Sequence, residues 1–363
     1  MHGARPNARH FREPYRGNSR TILGNVARLS HGWWTRRLIM ISLGVPMSVT
    51  DDAHHASTST VREPQPEHLL DGRILLATDG SASADGAAGL VAELCRRGPC
   101  KVTVLAVFEP APMPVPSADP SLAAMTTMAG DAALRDEFFS RVQHQVERSF
   151  AGRLPRPIER ADGSPVRSIV DAAVRAEVDL IVTGLRVHSL MDRLVGDETA
   201  LRVTRAADRP VFAVAPTLTQ MPRRAVVGID FSRACMRAAA AAAGMLADGG
   251  MLTLLHARPR LDVAAASDDG IDTAYASGVT AALDGLRHAM AASHPGITVD
   301  VERRDGEAAA AIMNFAIAAK ADFVAVGRHR RNAIAHAVLG SVATSLLRKA
   351  TLSVLVLPPA EGD

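Results

Sequence analysis

The sequence predicts an α/β protein in which two tandem, doubly wound parallel-sheet domains of Rossmann-like type follow a disordered N-terminal tail. Two observations carry this. Short unbroken apolar runs alternate with alanine-rich helical stretches, and the alternation is written twice along the 363 residues. Unbroken apolar runs fit strands buried on both faces, as in parallel sheets covered by helices. Consecutive parallel strands then need right-handed helical crossovers.

The first copy opens at residues 73–81, an apolar run ending in Asp79, Gly80 and Ser81; its counterpart at 224–232 ends in Asp230, Phe231 and Ser232. Helices are expected at about 83–97 and 233–248, followed by second strands at 102–107 and 252–257. The connections 108–133 and 258–272, rich in Pro, Ala, Met and Asp, read as mobile loops beside a site. The parallel resumes at Ala161-Asp162-Gly163 and Arg304-Asp305-Gly306. An amphipathic helix follows each, carrying Ile169, Val170, Ala173 and Val174 in one copy and Ile312, Phe315, Ala316 and Ala319 in the other. Apolar runs 178–184 and 321–327 then end in Gly184 and Gly327. Gly163 to Gly306 and Gly184 to Gly327 are both 143 residues, the fixed offset of a duplicated unit. A helix and a short strand, 211–214 and 353–357, close each copy. The expected organisation is a tail and lead-in at 1–68, a first domain at 69–218 and a second at 219–363.

Charge separates tail from body. The chain has 41 Lys+Arg against 38 Asp+Glu, a formal +3. Arg5, Arg9, Arg12, Arg16, Arg20, Arg28, Arg36 and Arg37 against Glu13 alone give the first 46 residues +7 and leave −4 for the rest. The tail reads either as a basic arm or leader, or as sequence upstream of a true start at Met47; its apolar run 38–45 is too short to span a membrane. No stretch of about 20 apolar residues follows, so no membrane association is expected. Aromatic residues make up 4%, too few for the stacking surfaces of single-strand nucleic-acid binders. Cys95, Cys100 and Cys235 are too scattered for a disulfide framework or a zinc knuckle, which fits a cytoplasmic location.

In open parallel sheets ligands bind beyond the carboxyl ends of the strands. The residues delivered there are Asp79 and Asp230 after the first strand of each copy, and Gly184 and Gly327 after the fourth. A carboxylate there can accept hydrogen bonds from ribose hydroxyls, and a glycine loop lets backbone N–H groups approach a phosphate. In the second copy Arg328, His329, Arg330 and Arg331 follow Gly327, and Gly340-Ser341 opens a helix, a place where the macrodipole favours an anion. Arg328, Arg330 and Arg331 are candidate counter-charges. The plainer account is that the glycines make turns and Ser341 is an N-cap.

These residues resemble the universal stress protein family in its tandem form. The pattern lies in Ile229-Asp230-Phe231-Ser232, in Leu254-Leu255-His256-Ala257, and in Gly327-x-x-Arg330-x9-Gly340-Ser341, where the family has a glycine at Arg330. The resemblance spans about residues 72–359. It implies ATP, with or without Mg, as cofactor, with Asp230 and Ala257 at the adenosine and Val326, Gly327, Arg330, Gly340, Ser341 and Val342 at the phosphates. The first copy departs further: Val187 replaces the middle glycine, and Gly196 is followed by Asp197 and Glu198, carboxylates that would repel a triphosphate. That copy is expected to be a degenerate, empty partner, although Asp79 and Val107 match the adenosine positions. The resemblance also implies that strands 211–214 and 354–357 pair within the chain as a pseudo-dimer, leaving a further homodimer open.

No residue reads as a committed general base. His329 and His336 are the loop candidates, and His256 reads as a satisfied core histidine. The pyrophosphate loop of adenylating enzymes, a Walker loop and a dinucleotide fingerprint are missing from the sequence. The expected function is a non-enzymatic or very slowly hydrolysing ATP-binding stress-response regulator. The alternative is an interaction module that binds no nucleotide.

Overall fold

The computed structural model describes residue 69 and residues 72–98, 101–110, 120–152, 157–186, 199–258, 269–328 and 339–359. The tail and lead-in readings, Arg330, and the acidic pair Asp197-Glu198 lie outside the described residues. The first half runs β1 (Arg73–Ala77), a 3-10 turn (Ala82–Ala84), α1 (Asp85–Arg97), β2 (Lys101–Phe108), α2 (Pro120–Phe150), β3 (Glu159–Asp162), α3 (Pro165–Arg175), β4 (Leu180–Gly184), α4 (Thr199–Ala206) and β5 (Val211–Val214). The second half repeats the order as β6 (Arg224–Gly228), α5 (Arg233–Met245), β7 (Met251–Arg258), α6 (Asp269–Ser293), β8 (Thr298–Asp305), α7 (Ala308–Ala318), β9 (Phe323–Gly327), α8 (Ser341–Lys349) and β10 (Ser353–Leu357).

The strands form one ten-stranded sheet in the order β3-β2-β1-β4-β5-β10-β9-β6-β7-β8. Within each half all pairs are parallel; the central pair β5–β10 is antiparallel, with Leu355 opposite Phe212. The two halves are therefore joined edge to edge through their last strands, as the pseudo-dimer expectation has it. Phe212 and Phe323 meet across this seam, ring centroids 5.3 Å apart and nearly edge-on, and the buried Ser353 hydroxyl accepts from the Ala215 backbone N–H at 3.0 Å.

Two apolar layers flank the sheet. On one side α1, α2, α5 and α6 pack on residues such as Ile74, Leu76, Val227 and Leu254. On the other, α3 and α4 cover Leu75, Ala77 and Ile181, and α7 and α8 cover Val226, Val324 and Val356. Alternate residues of one strand thus enter opposite layers, as pleating requires.

Four expectations need correction. The connections 108–133 and 258–272 are helical from Pro120 and Asp269 onward, because the alanine, leucine and methionine in these stretches are strong helix formers and Pro120 occupies the first helical position, where its missing N–H costs nothing. Residues 111–119 and 259–268 lie outside the described residues. The 233–248 helix ends at Met245. Val174, expected on the apolar face of its helix, is 63% exposed, while Ile169 and Ala173 carry the burial. Finally, Cys95 is disulfide-bonded, so the cysteines give no argument for a reducing compartment. Among the described residues no helix is long and apolar enough to cross a membrane.

Candidate functional site

Parallel register places the carboxyl ends of β6, β7 and β9 at one edge of the sheet. A helix crossing between parallel β9 and β10 runs back against them, so the N-terminus of α8 stands at that same edge. The edge therefore gathers Asp230, Ala257, Val326, Gly327, Gly340, Ser341 and Val342.

After β6, Asp230 is exposed and its Oδ1 accepts the Ser232 backbone N–H at 3.1 Å. Ser232 caps α5 by accepting from the Cys235 backbone N–H at 3.1 Å. The first half repeats the Asx turn: Asp79 Oδ1 accepts from the Ser81 backbone N–H at 2.9 Å and from its hydroxyl at 2.6 Å. The residue between must adopt a left-handed backbone. Gly80 does so at φ +72°, and Phe231 at φ +61°, which strains a bulky side chain by about 1–2 kcal/mol. Phe231 is held by packing on the core and against His256, ring centroids 5.2 Å apart. His256, half-buried as its neighbour Ala257 is, bonds through Nδ1 to the Ile229 carbonyl at 2.8 Å.

Cys235, buried directly behind Asp230, has its thiol pushed up to about 12, first by burial and then by the Asp230 charge. It stays protonated and is no nucleophile.

Gly327 is required sterically: a Cβ there would sit 2.4 Å from the Ala234 carbonyl carbon and 2.6 Å from the Cys235 nitrogen. Gly184 fills the same place in the first half, where a Cβ would approach the Ser83 carbonyl oxygen to 2.7 Å. Both glycines end strands and admit the start of the helix that follows the first strand, a packing role rather than the turn expected of them.

At α8 the N-cap is Gly340, at φ −56° and ψ 153°, and the hypothesis of a Ser341 cap is corrected: Ser341 is the first helical residue and is exposed. Among the described residues no side chain caps this helix, and none of their atoms lies within 4 Å of where a Gly340 Cβ would stand. The first backbone N–H groups of α8 thus have no side-chain cap among the described residues, and uncapped helix N–H groups suit an anion.

Arg328 is the clearest departure from expectation. Its side chain is buried and donates through Nη1 to the carbonyls of Thr204 (2.6 Å) and Arg205 (3.2 Å), and through Nη2 to that of Ala207 (3.0 Å). It binds the last turn of α4 in the other half and is not a counter-charge at the edge. His329, Arg331 and His336 lie outside the described residues.

In the first half the loop after β1 is covered by α2. Buried Gln145 bonds the Thr78 hydroxyl, and its amide nitrogen donates to the Ser81 carbonyl at 2.8 Å and to Asp85 Oδ1 at 2.7 Å. Arg141 reaches the Asp79 carbonyl at 3.4 Å, and Gly80 abuts the Val142 backbone. Gln145 escaped the sequence reading, since only the packing of α2 shows it; Phe231 was discoverable, standing opposite Gly80 in the repeat.

A duplicated parallel α/β sheet with an Asx turn after the first strand of each half, and in the second half a glycine-capped helix after the fourth, defines a class, the doubly wound α/β folds. The family model described as Universal stress protein family matches residues 72–215 and again 221–358, and the chain belongs to that family in its tandem form. Among solved structures, a universal stress protein from Archaeoglobus fulgidus DSM 4304 is 20% identical with a TM-score of 0.54, over 82% of this chain and 100% of that one. A universal stress protein family member from Burkholderia pseudomallei is 20% identical over 38% of this chain and 98% of its own, TM-score 0.31. A universal stress protein in complex with cAMP is 24% identical over 38% of this chain and 98% of its own, TM-score 0.30. No curated protein sequence matches the chain.

Proposed function

We propose that the second half binds ATP, with or without Mg, and that the protein acts as a nucleotide-dependent stress-response regulator in the cytoplasm, without committed catalysis. The single observation that carries this is the N-terminus of α8: Gly340 is its N-cap, no side chain among the described residues caps it, and its N–H groups stand at the strand-end edge shared with Asp230. The donors suit phosphate oxygens, and the Asp230 carboxylate suits ribose hydroxyls, so the residues fit the ligand at both ends. Ala257 would border the adenosine; Val326, Gly327, Ser341 and Val342 would border the phosphates, and Arg330 would join them. Catalysis is not part of the reading because, beside Asp230, the Ser232 hydroxyl is engaged in capping α5 and the Cys235 thiol is buried and protonated.

The alternative, an interaction module without nucleotide, draws support from the first half. There Gln145 and Arg141 of α2 tie down the loop after β1.

Titration calorimetry of the native chain and of Gly340→Asp tests the proposal. The backbone angles of Gly340 are ordinary for any residue, and no described residue crowds its Cβ position. Asp is also a favourable N-cap, worth a few tenths of a kcal/mol or more over Gly. The variant should therefore keep its fold, melt no lower than the native chain, and lose ATP binding. ATP binding that survives unchanged in Gly340→Asp, or that the native chain lacks, removes the proposal.

A further inference from the structure

We propose that Arg328 is a positioning residue that ties the phosphate side of the second half's site to helix α4 of the first half; the inference rests on the nucleotide reading above. Three observations support it. Arg328 directly follows Gly327, the strand-end glycine at the proposed phosphate edge, and its own backbone N–H continues the sheet by donating to the Leu357 carbonyl at 2.9 Å. The residue is 8% exposed, and its guanidinium gives three hydrogen bonds to carbonyls at the C-terminal end of α4, those of Thr204, Arg205 and Ala207. These are carbonyls that a helix end leaves without intrahelical partners, and a cation there also meets the negative end of the macrodipole.

The third observation is that the link runs one way. In the first half the residue after the strand-end glycine is Leu185, whose backbone N–H donates to the Val214 carbonyl at 2.8 Å in the same register. Leu185 is fully buried and apolar. So the second half grips a helix of the first, and the matching position of the first half has no side-chain donor with which to reply. A planar, always-charged fork with several donors suits this grip; a lysine could replace only part of it.

The position of Gly327 is thereby set from two directions: by the close approach of α5, which only a residue without a Cβ admits, and by the pull of Arg328 toward α4. Phosphates bound at this edge sense both, whereas an adenosine held at Asp230 and Ala257 does not contact the grip. Loosening Arg328 should weaken triphosphate binding selectively, and triphosphate binding should in turn steady α4.

The test uses the full chain, with ATP and adenosine as probes and hydrogen exchange of α4 as a second readout. Arg328→Leu is chosen because the other half buries leucine at that register, and Arg328→Lys serves as the conservative variant. ATP affinity should fall about tenfold in Arg328→Leu, the loss expected for buried charge-assisted bonds. Adenosine affinity should stay unchanged, and Arg328→Lys should fall between. In the native chain ATP should slow exchange in α4, and in Arg328→Leu that protection should disappear. A native chain that binds neither probe overturns the nucleotide reading and this inference with it. A native chain that binds ATP, beside an Arg328→Leu variant with the same ATP-to-adenosine ratio and the same ATP protection of α4, overturns this inference alone. An equal loss of ATP and adenosine affinity also overturns it, because that marks a general structural defect.

Discussion

The loops after β1 and β6 begin with the same Asx turn and are supported differently. In the first half Gly80 lets the α2 backbone approach closely, and Gln145 and Arg141 then fasten the loop to that helix. In the second half Phe231 takes the left-handed position, and its ring is held by the core and by His256. The contrast teaches that a turn conformation can be conserved across a repeat while what lies over it changes. A glycine invites a neighbouring backbone, and an aromatic ring in the same place fills that space itself.

Four substitutions break or sharpen this contrast. The largest effect is expected where the halves agree. Gly327→Val drives a Cβ into the backbone of α5 and should cost about 3 kcal/mol or more, read as a lowered urea midpoint. Gln145→Leu leaves the buried Thr78 hydroxyl without this partner, and about 2 kcal/mol should be lost. Hydrogen exchange should quicken at residues 81–85 and not at 230–232; equal quickening at both loops would remove the asymmetry. Phe231→Gly relieves backbone strain and gives up ring packing, two terms of about 1 kcal/mol each with opposite sign, so the midpoint should move by less than about 1 kcal/mol. A large loss there would show that Phe231 does more for the fold than Gly80 does.

The last effect vanishes at neutral pH and shows only as a pH dependence at alkaline pH. The Cys235 thiol, ordinarily at 9.0, is raised to about 12 in the folded chain, so the folded state binds this proton more tightly than the unfolded one. The stabilisation is full below pH 9 and is lost as pH climbs through the window up to about 12. Urea midpoints of the native chain should therefore fall more steeply across that window than those of Cys235→Ala.

Much of the fold was legible because the apolar runs of β1, β4, β6 and β9 are buried on both faces and read as unbroken hydrophobic stretches. The edge strands β3 and β8 escaped that signal: Glu159, Arg160, Asp300, Glu302, Arg303 and Arg304 face solvent or half-face it, and charges on an edge guard against mispairing. Helices α2 and α6 were obscured by proline and aspartate that read locally as loop signals. Of the site, Asp230, Gly327 and Gly340 could be placed from the repeat, since each follows a strand or opens a helix. The direction of Arg328 could not, because its three acceptors are backbone carbonyls more than a hundred residues away, and carbonyls carry no sequence signature.

The antiparallel join of β5 to β10 has a consequence for how the molecule answers dilution and mutation. Two separate chains meeting along such a seam would part at low concentration, and every substitution would appear on both sides of the axis. In a single polypeptide the partner is always present, and each position is free to drift alone. An arginine can then stand at one position of the repeat while its counterpart in the other half is a leucine.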